Sequence, residues 1–246
     1  MLRSFILGGL ASLLLAGVAL AQSAPVLLLA DNTTAQSTNM TSVGSCAVGN
    51  IVTATVANTN SRVNSTFTDS GSNTWAAGTE ATITTFRTRM FTTTVAVGKA
   101  ISPSTTFQYT LSSTGAASLL VECWPSSTVL DAATTENGVS STATPISINT
   151  GTMTNASQTV FYVFWSNRWN FATPIPPTGW TTGNSILSGG TFGIRSFYAN
   201  VGAAGSQNLA LSGLSSTTWQ AVSQGMNYTA VSLSKGQGGP GLLGCC

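Results

Sequence analysis

The sequence contains no histidine, and charged residues make up only 6% of its 246 residues, against an average of about 25%. Without histidine, the chain lacks the usual base of a catalytic triad, the commonest metal ligand and the commonest proton shuttle. The four cysteines also lack the paired Cys-x-x-Cys spacing of a zinc site. We therefore expect a protein that is not an enzyme, with no catalytic residue, no bound metal and no cofactor.

Positive charge is also scarce, since Lys and Arg together number 8 and are scattered along the chain. A nucleic-acid-binding surface needs several cations clustered on one face. The nearest pair is Arg87 and Arg89. The sequence therefore argues against a nucleic-acid partner.

The first 21 residues have the pattern of a signal peptide. Arg3 provides a basic start, residues 5–18 form an uncharged apolar run, and Ala19-Leu20-Ala21 has the small-x-small pattern that signal peptidase recognises. The alternative is a retained membrane anchor, extended by the second apolar patch at residues 26–30. We expect cleavage after Ala21 and a secreted, extracellular or cell-surface protein that has no membrane contact after cleavage.

The rest of the chain has the pattern of an all-β protein. Short runs rich in Thr, Val, Ile, Phe and Tyr recur about every ten residues, with turn residues between them. This spacing predicts an antiparallel, jelly-roll-like β-sandwich of about ten to twelve strands over residues 46–234. One long strand, residues 82–97, changes phase near Thr84 and Thr85, which predicts a bulge there.

Domain boundaries follow from composition. Residues 22–45 are predicted to be an N-terminal extension, and residues 235–246 a flexible Gly-rich C-terminal tail. Residues 126–144 are polar and rich in small side chains, which predicts a long surface loop. Two smaller sandwiches with a split near 125–145 are the alternative to a single sandwich. No internal repeat is evident in the sequence.

Two cysteines are candidates for a disulfide. Cys46 has the same strand parity as Val52, and Cys123 the same parity as Val121, so both point to an apolar face. An exported protein meets an oxidising environment in which disulfides persist. We predict a Cys46–Cys123 bridge between sheets, with two reduced core cysteines as the alternative.

Glu122 stands out among the acidic residues because its same-face neighbours Leu120 and Trp124 are apolar. A partly buried carboxylate needs a partner, and we predict an ion pair between Glu122 and Arg87 or Arg89 on an adjacent strand. A secreted glycan-active hydrolase would need two carboxylates. The candidates for that less favoured function are Asp69, Glu80, Glu122, Asp131 and Glu136.

Aromatic residues are concentrated in residues 165–180, which include three tryptophans. Carbohydrate-binding modules stack sugar rings on exposed tryptophans and bind hydroxyl groups with polar side chains. The predicted ligand-binding residues are therefore the two loop tryptophans and their polar neighbours, Trp169, Trp180, Arg168 and Asn170. The alternative is that these tryptophans cap the sandwich core.

Residues 67–131 contain a turn with the pattern Asp-x-x-Gly-Asn-x-(Tyr or Trp), with one extra residue, Ser72, between the Gly and the Asn. They also contain an apolar strand that ends in Glu122 and an aromatic residue. The matching turn residues are Asp69, Gly71, Asn73 and Trp75. This stretch, about a quarter of the chain, resembles β-sandwich structural and adhesion proteins of phage virions and bacterial cell surfaces. The resemblance implies a decoration, tail or adhesion module without enzymatic activity.

From these patterns we expect a non-enzymatic extracellular structural or adhesion protein, a component of a virion or a cell surface. We expect it to act by self-association or by assembly into a larger structure. The alternative from a different class is a carbohydrate-binding module with glycans as partners. The signal peptide fits a cell-surface protein better than a typical virion part.

Overall fold

The computed structural model describes residues 23–33, 37–59, 64–83, 86–125, 127–140, 146–149, 151–154, 158–166, 174–188, 192–201, 204–213 and 217–228. Within these residues, the regular elements are sixteen β-strands. They are β1 (Val26–Thr33), β2 (Ser37–Thr41), β3 (Ile51–Thr59), β4 (Asn64–Asp69), β5 (Ala76–Ala77), β6 (Ala81–Ile83), β7 (Phe86–Thr94), β8 (Thr106–Leu111), β9 (Ala117–Trp124), β10 (Ser127–Ser140), β11 (Ile146–Asn149), β12 (Gln158–Ser166), β13 (Thr181–Ser188), β14 (Phe192–Val201), β15 (Asn208–Leu211) and β16 (Thr217–Tyr228).

Strands β1 to β9 form an antiparallel sandwich of two sheets. The inner N sheet has the order β1-β9-β3-β7-β5, with β6 also paired to β7, and the outer N sheet has the order β2-β8-β4. The pairs are nested along the chain: β1 pairs with β9, β2 with β8, and β3 with β7. Because the pairs are nested and the chain alternates between the two sheets from β1 to β4 and again from β7 to β9, the sandwich is jelly-roll-like, as predicted.

Strands β10 to β16 repeat the same plan in a second sandwich. The inner C sheet has the order β10-β16-β12-β14-β13, and the outer C sheet pairs β11 with β15. The pairs are again nested along the chain: the first strand, β10, pairs with the last, β16, and inside them β11 pairs with β15 and β12 with β14. Even the isolated bridges correspond, because Cys46 pairs with Ile101 in the first sandwich and Met153 with Gly205 in the second. The chain is thus a tandem of two sandwiches with one topology.

The four sheets stack as layers with three cores between them. The N core lies between the outer and inner N sheets and includes Phe67, Phe91 and Phe107. The interface core lies between the two inner sheets and includes Leu120, Trp124, Ile194 and Val222. The C core, between the inner and outer C sheets, is built from Ile148, Phe197, Leu209, Trp219 and neighbouring residues. The inner N sheet is therefore covered on both faces.

Residue alternation explains these layers. In β8, Phe107, Tyr109 and Leu111 are buried, and the alternate residues Thr106, Gln108 and Thr110 face outward. This period of two is typical of a strand with one face on a core and one in water. In contrast, all eight residues of β9 are buried. Strand β9 consequently forms part of the N core with one face and of the interface core with the other.

Several predicted boundaries are wrong. Residues 22–45 are not an extension, because β1 pairs with β9 and β2 with β8 inside the first sandwich. Residues 126–144 are not a long loop, because residues 127–140 form β10, paired with β16 along its length. The predicted bulged strand 82–97 is two strands, and Ile83 pairs with Phe86, so that the chain reverses between them. These extra elements raise the strand number above the predicted ten to twelve.

The strand order agrees with the alternative prediction, in which the chain divides into two smaller sandwiches. Strand β9 ends at Trp124 and β10 begins at Ser127, so the first sandwich passes into the second within the predicted split at 125–145. The predicted signal peptide at 1–21 and the predicted tail at 235–246 lie outside the described residues. Within the described part of the chain, no helix is long and apolar enough to cross a membrane.

Candidate functional sites at the interface and on the outer N face

The predicted disulfide is confirmed. Cys46 and Cys123 are bonded, with an S–S distance of 2.01 Å and a Cα–Cα distance of 5.7 Å. Both residues belong to the N core. Cys123 lies on β9 in the inner N sheet, and Cys46 lies in the connection between β2 and β3. The bridge therefore ties that connection to β9, which lies between β1 and β3 in the inner N sheet.

The predicted ion pair of Glu122 is wrong. Glu122 Oε1 accepts hydrogen bonds from Ser196 Oγ at 2.7 Å, from Asn184 Nδ2 at 2.8 Å and from the Asn184 backbone N at 3.3 Å. Arg87 Nη1 instead donates to Glu80 Oε2 at 2.5 Å. Arg89 Nε donates to the Gly78 carbonyl at 2.8 Å, and its guanidinium lies 5.6 Å from the Phe91 ring centroid.

Strand parity is the reason for the error. Leu120 and Trp124 share a face with Glu122, and both lie in the interface core. Phe91 shares a face with Arg87 and Arg89, and it lies in the N core. Because alternate residues point to opposite faces of a sheet, Glu122 and the two arginines lie on opposite sides of the inner N sheet. The partners of Glu122 come from the second sandwich. The prediction considered only adjacent strands of the first sandwich, and those could not indicate them.

A β-bulge aims Asn184 at Glu122. In the pairing of β13 with β14, the register shifts between Thr182 and Ser185, so Gly183 and Asn184 together oppose Ser196. A bulge of this kind bends the strand and redirects a side chain. Space is tight there, since a Cβ at Gly183 would lie 2.3 Å from Ser196 Oγ. Glycine therefore allows Ser196 to reach the carboxyl group.

Burial dominates the electrostatics of Glu122. The residue is only 1% exposed. Burial raises the pKa of Glu122 from 4.5 to about 7, although the hydrogen bonds from Ser196 and Asn184 act in the opposite direction. The Glu122 carboxyl group, at the contact between the two sandwiches, therefore changes its protonation near neutral pH.

Of the predicted ligand-binding residues, only Trp180 is in the described part of the chain. Its ring is partly buried and packs against the C core. Its backbone N donates to the Pro177 carbonyl at 3.1 Å across a turn in which Gly179 has a φ of 91°. Trp180 thus caps the C core, which is the alternative role predicted for these tryptophans. Trp169, Arg168 and Asn170 lie outside the described residues.

The turn at Asp69 is held by its own side chains. Asp69 Oδ1 accepts a hydrogen bond from Asn73 Nδ2 at 3.2 Å, and Asp69 Oδ2 accepts one from Trp75 Nε1 at 2.6 Å. Asn73 Nδ2 also donates to the Lys99 carbonyl, and Ser72 takes a φ of 58°. The side chains of this turn thus have a structural role: they orient Trp75, whose ring packs edge-on against Phe67 in the N core.

The exposed side of the outer N sheet, here called the outer N face, is uncharged. Asn39 and Thr68 both pair with Gln108, which places three polar side chains in a row across the three strands. Adjacent strands lie about 4.8 Å apart in such a row. The only charged residue on these strands, Asp69, is buried on the opposite side. The described side chains of the outer N face are Asn39, Thr41, Thr66, Thr68, Ser70, Thr106, Gln108 and Thr110.

Fold and sites together define an all-β, disulfide-bonded protein of two tandem sandwiches, with a buried carboxyl group at their interface and a neutral outer face. The chain matches no protein-family model, no curated protein and no solved structure. The function must therefore be argued from the residues themselves.

Proposed function

We propose that the chain is a non-enzymatic structural or adhesive protein of a cell surface or virion, which acts by assembly and surface contact. The observation that carries this proposal is the outer N face. It offers rows of hydroxyl and amide groups, and no charge, to whatever approaches it. Such groups both donate and accept hydrogen bonds, so the face suits another neutral surface.

The contacts that the charged side chains make support the same function. Glu122 and Asp69 are buried and accept hydrogen bonds from within the fold. Glu80 pairs with Arg87, and Asp131 accepts hydrogen bonds from Thr154. Lys99 Nζ donates to the Ser72 carbonyl at 2.6 Å. These charged side chains have partners within the fold, and the formal net charge of the chain is only +2, so little charge repulsion opposes the close approach of neighbouring molecules.

A charge placed on the outer N face tests the proposal. We expect Thr68→Lys to weaken self-association by about tenfold or more, because a buried unpaired ammonium group costs more than 1.4 kcal/mol. Sedimentation velocity and negative-stain microscopy of the purified protein would measure the effect. The matched control is Thr94→Lys, which adds the same charge at an exposed position at the end of β7. Equal association of both variants and the wild type would contradict a role for this face.

Carbohydrate binding is the second candidate, because the half-buried Trp180 stands at a turn with part of its ring exposed. We expect the wild-type protein to bind a glycan on an array, and Trp180→Ala to lose at least about fivefold in affinity, because stacking of a ring on an aromatic side chain contributes about 1 kcal/mol or more where it has been measured for bases. Thermal denaturation of the variant would show whether the loss comes from unfolding. A wild-type protein that binds no glycan would eliminate this candidate.

A further inference from the structure

The interface between the two sandwiches is rich in buried polar groups. The outer cores are mostly apolar, but the inner sheets bury Thr53, Thr55 and Thr88 from the first sandwich and Ser196 and Gln220 from the second. Interfaces between domains of one chain are typically more polar than a domain core, and relative motion is expected unless the interface is large and hydrophobic. The contact between these two sandwiches is thus of the kind that can open.

Two groups of hydrogen bonds hold the interface. At one end, Thr88 Oγ1 donates to Gln220 Oε1 at 2.8 Å, and Gln220 Nε2 donates to the Phe86 carbonyl at 3.1 Å. At the other end, Glu122 accepts its three hydrogen bonds from Ser196 and Asn184, and Asn184 Nδ2 also contacts the Pro25 carbonyl at 3.3 Å. The first group is neutral at any pH near 7, whereas the second contains a carboxyl group.

We propose that Glu122 makes the contact between the two sandwiches proton-dependent, so that they hold together when its carboxyl group is neutral and separate around it when it is ionised. A neutral carboxyl group loses little when it is taken out of water. An ionised one loses its hydration, and three hydrogen bonds offset only part of that cost. Separation of β9 from β13 and β14 lets water reach the carboxylate.

The ionisable groups on the described strands around Glu122 do not offset the cost of burying its ionised carboxylate. Of the described strands packed against β9, β3 and β13 carry no ionisable side chain. On β1, Asp31 pairs with Leu119 and so lies on the N-core side of the sheet. On β14, Arg195 points away from Glu122 because its neighbour Ser196 points towards it. Tyr198 shares the face of Ser196 and packs edge-on against Trp124, with 5.9 Å between ring centroids.

Hydrogen exchange on the intact chain tests the proposal. After correction for intrinsic exchange rates, we expect the opening equilibrium at the Asn184 amide, which donates to Glu122 Oε1, to rise by roughly 50- to 100-fold between pH 5 and pH 8, the range set by a pKa near 7 in the closed state and 4.5 in the open one. At each pH the Asn184 amide should exchange through a smaller opening, and so faster, than the amides of the outer strands β8 and β15, which are released only when a sandwich unfolds. An Asn184 amide that exchanges only as fast as the amides of β8 and β15 would indicate global unfolding and would overturn the proposal, as would equal Asn184 protection at pH 5 and pH 8.

Two variants separate the proton-dependent contact from general weakening. Glu122→Gln cannot ionise, and we expect the protection of its Asn184 amide to be the same at pH 5 and pH 8. Glu80→Gln removes a carboxyl group paired with Arg87 outside the Glu122 site, and should keep the wild-type pH dependence. Should Glu122→Gln fail to fold, NMR of the wild-type carboxyl carbon gives the same information. Titration of Glu122 near pH 7 supports the proposal, and titration near pH 4.5 overturns it.

Discussion

Replacement of both Cys46 and Cys123 by alanine should lower the free energy of unfolding by about 4 kcal/mol. The two residues are 77 positions apart, so their bond closes a long loop and removes many conformations from the unfolded chain. Both side chains are almost completely buried in the N core, and the lost sulfur atoms leave poorer packing there. Chemical denaturation of the oxidised wild type and the double variant would measure the difference.

Reduction supplies the control for this prediction. Dithiothreitol should bring the wild type close to the stability of the double variant and should leave the variant itself unchanged. A double variant as stable as the oxidised wild type would show that the bridge contributes nothing to the fold. The bridge is also consistent with the predicted export of the chain, because disulfides persist in oxidising compartments.

The pH dependence of stability should be dominated by Glu122. The pKa of Glu122 is about 7 in the folded chain, against 4.5 as its ordinary value. The folded state therefore binds a proton more tightly than the unfolded state, and its contribution is complete below pH 4.5 and lost as the pH rises to 7. We expect the free energy of unfolding to fall by about 3 kcal/mol over that range from this residue alone.

Urea denaturation at a series of pH values would measure this slope. In Glu122→Gln the stability should be nearly flat between pH 5 and pH 7, because an amide does not titrate there. A wild-type protein whose stability instead rises from pH 4.5 to pH 7 would contradict the assignment. Such a rise is what a carboxylate stabilised by a cation would produce, as the predicted pair with Arg87 or Arg89 would have done.

Local sequence patterns were sufficient to predict part of the structure. The alternation of Phe107, Tyr109 and Leu111 predicted β8 as a half-buried strand, and the parity of Cys46 and Cys123 predicted their bridge. The period of two in a strand holds for β8 and for Cys123 on β9, whereas Cys46 lies before β3, so its predicted bridge is right although its assumed strand parity is not. The jelly-roll-like class followed from the spacing of strands and turns along the whole chain.

Features that depend on distant parts of the chain could not be predicted in this way. Residues 127–140 have the polar composition of a loop, yet they form β10 at the edge of the inner C sheet, where pairing with β16 satisfies the backbone. The tandem repeat could not be detected in the sequence, because the two sandwiches share a pattern of strand pairing and not a pattern of residue identities. The partners of Glu122 are 62 and 74 positions away, and only a bulge in β13 brings Asn184 to it.

The central claim is that this chain works through neutral surface contact. Sedimentation velocity of the mature protein at about 0.05 M and about 1 M salt tests it most directly, because salt screens charge but not neutral hydrogen bonds or packing. We expect self-association at both concentrations, with little change between them. A protein that stays monomeric throughout, or whose assemblies dissociate in high salt, would contradict the claim.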